Sequence, residues 1–130
     1  MVKAITYLLD NNSGVQALVG MKSSGEGYKV YPVAIPSTEK APYIAVSMVG
    51  MNRPARNCNF LFTFNITCYH TSYDNATELA EAILDAIEQQ APATINAEEF
   101  GFAILVNAAD GFSKEHELYS KTLTFEASGA

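Results

Sequence analysis

The chain has 130 residues, 48% hydrophobic and 17% charged, with 14 Asp and Glu against 8 Lys and Arg for a net charge of −6. This size supports one domain over residues 1–130 with a core of its own, and the ratio of apolar to charged residues excludes a disordered segment. The acidic balance opposes sequence-specific nucleic-acid binding and adhesion to an anionic membrane.

The opening "MVKAITYLLDNN" holds one basic residue and is interrupted by Thr6 and Asp10, so it does not read as a secretory leader. No apolar run is long enough to span a bilayer. With only Cys58 and Cys68 and no export signal, two reduced thiols are expected rather than a disulfide. Ile5, Leu8 and Leu9 share a helical face, and "SGVQALVG" repeats the theme with Val15, Leu18 and Val19. Gly20 reads as its stop signal. The spacing predicts one helix and a short second turn, followed by a Gly, Ser and Lys loop from Met21 to Gly27.

"YKVYPVAIP" and "PYIAVSMVG" read as two β segments, with Pro32, Pro36 and Pro42 confining the first to an edge or irregular strand. The loop "MNRPARNCN" separates them from a third. There Phe60, Phe62, Phe64, Ile66 and Cys68 alternate with Thr63, Asn65 and Thr67, so one face packs and the other looks out. A helix follows at once, capped by Ser72 or Asp74. Its Ala76, Leu79, Ala80, Ile83 and Ile87 form an apolar stripe fit to lie on the aromatic face of the preceding strand.

Beyond Pro92 a polar stretch leads to "FGFAILVNAA" and "ELYSKTLTFEAS", two further strands, with Tyr119, Leu123 and Phe125 on one face of the second. Helix, strands, helix, strands makes an α+β domain: a mostly antiparallel sheet with helices packed on one face.

Residues that carry chemistry are sparse. Cys68 and His70 lie two apart on one strand face, and Cys58 and His116 could complete a zinc-like set, but C-x9-C-x-H matches no metal pattern. A small buried thiol continuing an aromatic face, with a histidine at the strand's exit, is the expected reading. No phosphate loop, nucleophile elbow or zinc-protease motif occurs, so no catalytic residue, metal or cofactor is expected. The one regular charge feature is Asp74, Glu78, Glu81, Asp85 and Glu88, an acidic stripe opposite the helix's apolar face. It is either a solvated outer face or a surface turned to a neighbouring subunit or to an anionic polymer that must not stick. Arg53 and Arg56 form the compact basic cluster, in a loop that either keeps the chain soluble or reaches acidic residues on another subunit.

The succession "ITYLLDNNSGVQALVG", "YKVYPVAIPSTEKAPYIAVSMVG", "FTFNITCYHTSYDNATELAEAILDAI" and "LYSKTLTFEAS" resembles the tail-terminator (tail-completion, or tail-to-head joining) proteins of long-tailed bacteriophages and prophages. The likeness covers nearly the whole chain but not "QQAPATINAEEFGFAILVNAADGFSKEHE". It rests on packing patterns, with no catalytic motif. The resemblance implies a homo-oligomer, a hexameric ring that caps the tail tube and offers a surface to the head. Its partners would be the tail tube protein and a head-completion or connector protein, and its location the host cytoplasm and then the virion tail. The alternatives are another ring protein of the phage neck or tail, and a small-molecule-binding or enzymatic domain built around Cys68, His70 and His116.

Overall fold

The computed structural model describes residues 2–22, 27–33, 40–52, 60–88, 93–95, 98–101 and 103–129. Two helices open the chain, α1 (Val2–Asp10) and α2 (Ser13–Val19). The second is a helix of its own where the spacing predicted only a turn, because Asn12 caps it: its Oδ1 accepts the Val15 N–H at 3.1 Å. Gly20 ends it with φ 77° and ψ 170°, a region open essentially to glycine alone. Its N–H donates to the Gln16 carbonyl and its own carbonyl accepts from the Lys29 N–H at 3.1 Å, so this conformation turns the chain from helix toward sheet. Gly20→Ala is expected to destabilise the protein by about 2 kcal/mol through backbone strain alone. An added Cβ would meet nothing closer than Lys29 Cε at 3.8 Å. Urea denaturation checks this, and an unchanged midpoint would show that the turn tolerates a side chain.

The remaining elements are β1 (Val30–Pro32), β2 (Tyr43–Asn52), β3 (Phe60–His70), α3 (Tyr73–Glu88), β4 (Ala93–Ile95), β5 (Glu98–Phe100), β6 (Ala103–Ser113) and β7 (Leu118–Gly129). Five strands form one sheet in the order β1-β2-β3-β7-β6, parallel between β1 and β2 and antiparallel elsewhere. The α+β architecture with a mostly antiparallel sheet follows the sequence reading, and β1 is an edge strand ending at Pro32, as its prolines predicted.

Two segments differ from expectation. The polar stretch before "FGFAILVNAA" holds a small hairpin, β4 with β5, pairing Ala93 with Phe100 and Ile95 with Glu98. The strand after it continues beyond "NAA" through "DGFS" to Ser113, with a bulge at Val106, so that β6 and β7 make one long hairpin.

The core lies between one sheet face and the three helices. Phe64, Ile66, Cys68, Leu123 and Phe125 from the sheet meet Ile5, Leu9, Val15, Val19, Leu79, Ile83 and Ile87 from the helices. Phe62 is buried with them. Ser72 sits just before α3, and its carbonyl accepts the Ala76 N–H at 2.9 Å. The opposite sheet face carries small polar side chains that bond across strands: the Thr67 and Thr122 hydroxyls lie 3.1 Å apart, and Thr124 donates to Asn65 Oδ1 at 2.7 Å.

Candidate functional site

Helical periodicity places the acidic stripe as the sequence predicted. Asp74, Glu78, Glu81, Asp85 and Glu88 are all exposed on α3, while Ala76, Leu79, Ala80, Ile83 and Ile87 are buried beneath it. The stripe borders a groove of about 180 Å³ between α3 and β6. Thr77, Ala80, Glu81 and Leu84 form one wall, Leu105, Ala108 and Asp110 the other, with Leu123 and Lys121 on β7. At the C-terminal end of α3, Glu88 Oε2 accepts the Leu105 N–H at 3.2 Å, tying helix to strand. Small-molecule sites usually enclose about 300–1,000 Å³, so this apolar groove suits inserted side chains better than a free ligand.

The other end of the groove is closed by a polar cluster that the sequence reading missed. Lys121 Nζ donates to Asp110 Oδ1 at 2.8 Å, the Tyr73 hydroxyl donates to Asp110 Oδ2 at 3.0 Å, and Lys121 Nζ stands 4.7 Å from the Tyr73 ring centroid. The hydrogen bonds from Lys121 and then Tyr73 hold the Asp110 carboxyl below its usual range, and Asp110 in turn raises the Lys121 ammonium. Tyr119 extends the cluster to Phe112, with ring centroids 4.8 Å apart. The start of α3 is thereby fastened to the β6–β7 hairpin. The register Asp110↔Lys121 creates the pair, so no local motif could have announced it.

Beyond the groove, β6 is the outer strand of the sheet. Ile104, Val106 and Phe112 are exposed on it, and its one charged residue, Asp110, is engaged by Lys121. It carries no lysine or proline, the usual residues that keep a sheet edge from pairing.

The cysteine and histidine neighbourhood separates. Cys68 is fully buried, and its thiol points to the Ala76 carbonyl at 3.6 Å and the Lys121 carbonyl at 3.7 Å. Burial pushes the thiol up to about 11, far from the thiolate a nucleophile needs. His70 Nδ1 is approached by Ser72 N–H at 3.4 Å and the Thr71 hydroxyl at 3.5 Å, and its pKa is lowered first by burial and then by Lys29. His116 is exposed in the turn between β6 and β7. The partly exposed thiol that an enzymatic reading requires is therefore not provided by Cys68. Among the described residues, no group of three or more His, Cys, Asp or Glu could hold a metal ion. Arg53, Arg56 and Cys58 lie outside the described residues. No described helix is long and apolar enough to cross a membrane.

No family model and no curated protein sequence matches the chain. Among solved structures, the chain is similar to one in the virion of a native gene transfer agent particle, with a TM-score of 0.72 and 18% identity over 99% of this chain and 93% of that one. At that identity the likeness shows a shared fold, preserved from end to end.

Proposed function

We propose that this chain is a structural assembly subunit of a phage-like particle, and within that class a tail terminator. Copies would close into a six-membered ring on the finished tail tube, stop its polymerisation and present a joining surface to the head. The observation that carries the reading is the end-to-end fold shared with a virion chain, which agrees with the sequence resemblance to tail terminators. Physical features support it: a groove bordered by an exposed acidic helix face, beside an outer strand with Ile104, Val106 and Phe112 exposed, is equipment for contact between proteins. In this reading the subunit does its work through surfaces, without a catalytic residue, metal or cofactor, and without reading a nucleic-acid sequence.

A second reading, another ring protein of the neck or tail, draws on the same fold likeness. Electron microscopy separates the two. A terminator purified alone gives single closed rings, and added to growing tubes of the particle's tail tube subunit it caps them and fixes their length. Long tubes built from this chain itself would make it a tube protein, and monomers without effect on tube length would remove the terminator reading.

A further inference from the structure

Charge is distributed unequally across the width of the molecule. Four of the eight basic residues, Lys3, Lys22, Lys29 and Lys40, lie within the first 40 residues, against Asp10, Glu26 and Glu39. Glu26 and Glu39 fall outside the described residues. These lysines flank α1 and β1, at one edge of the sheet. The helix that borders the other edge carries five carboxylates and no basic residue. Asp10 is already committed, accepting the Tyr28 N–H at 2.8 Å. One flank is therefore relatively basic and the opposite flank strongly acidic, in a chain with net charge −6.

Each flank also has a concavity. On the basic side an open hollow of about 270 Å³ is lined by Lys3, Thr6, Tyr7, Asp10, Lys22 and Val30. Thr6 Oγ1 there is buried and has no hydrogen-bond partner among the described residues. Tyr7 is 52% exposed and Val33, just past the strand, 71% exposed. The acidic side offers the apolar groove between α3 and β6, with Glu81 on its rim. Opposite charge and matched apolar surface on two different faces of one chain describe a heterologous contact, the kind that closes into a ring when the rotation permits.

We propose that the α3–β6 flank of one copy receives the α1–β1 flank of the next, with Glu81 and Asp85 facing Lys3 and Lys22 and exposed apolar side chains such as Tyr7 entering the groove. The contact covers the β6 edge, and head-to-tail repetition builds the oligomer. This deepens the reading of the chain as a ring subunit and rests on it for the identity of the partner, a second copy.

Two charge-reversed chains test it by sedimentation velocity over a concentration series. In Lys3→Glu/Lys22→Glu both flanks are acidic, and in Glu81→Lys/Asp85→Lys the receiving flank turns basic to match the other. Each alone should associate at least about tenfold more weakly than the wild type. Mixed in equal amounts they should recover the wild-type size, because each flank of one then meets its complement on the other, in strict alternation. Thermal melting of the separate variants confirms that they fold. Variants that keep the wild-type oligomer, a mixture that stays dissociated, or a wild type that is monomeric throughout would each overturn the contact. Mixed rings that form but leave tail tubes uncapped would sink the terminator reading and leave the contact standing. Wild-type-sized rings from each variant alone would do the reverse.

Discussion

Phe64→Ala is expected to destabilise the protein by about 3–5 kcal/mol, the range for deleting a fully buried aromatic ring from a core that cannot collapse around the gap. Phe64 is wholly buried midway along β3, paired with Met48 on one side and Phe125 on the other. Its ring stacks on that of Phe125 with centroids 5.5 Å apart and planes inclined by 17°. Backbone pairing holds both neighbouring strands in register, and the helices pack across the same face, so nothing is free to move into the space. Phe125→Ala should lose a similar amount, and the double variant less than the two together, because each single change already removes the ring contact. Leu61, on the outward face of the same strand and 39% exposed, is the control and should lose no more than about 1 kcal/mol on truncation. Urea denaturation measures all four. A Phe64→Ala loss under 1 kcal/mol would mean that this ring is not at the centre of the core.

That ring was legible in the sequence. The alternation from Phe60 to Cys68 and the three- and four-residue spacing from Ala76 to Ile87 are each set by which side of one element is buried, so β3 and α3 could be read locally. The carboxylates of α3 followed from the same periodicity. The far end of β6 could not be read, because Asp110 and Gly111, just past the predicted strand "FGFAILVNAA", have weak strand propensity and look like a turn. What makes them a strand is pairing with Lys121 and Ser120 of β7, a preference that lies in the partner. β4 and β5 span three residues each, too few for any period to show. The groove was invisible for a further reason: it is the gap left between α3 and β6 over β7, with the two elements joined at its ends, which is a matter of helix placement. The tie between Tyr73, Asp110 and Lys121 depends on register and placement together.

Cys68 gives the second large effect, and it appears only at alkaline pH. Burial is the main cause that raises its pKa from 9.0 to about 11, with the Lys121 backbone pulling weakly the other way. Below pH 9 both the folded and the unfolded chain hold the thiol proton, and the group contributes no pH dependence. Between pH 9 and 11 the unfolded chain releases the proton while the folded chain keeps it, so stability falls as pH rises. Two pKa units correspond to about 3 kcal/mol by the time the folded thiol titrates. Tyrosines and lysines also titrate in this range, and a Cys68→Ala chain subtracts them. At pH 8 that variant should be less stable than the wild type by about 1 kcal/mol, for the loss of a small buried side chain. Toward pH 11 the order should reverse, since the variant has no thiol to ionise. Urea midpoints of the two chains at several pH values measure the crossing. Curves that stay parallel to pH 11 would mean that the thiol ionises as easily in the fold as outside it, and that water or a cation reaches the space beneath α3.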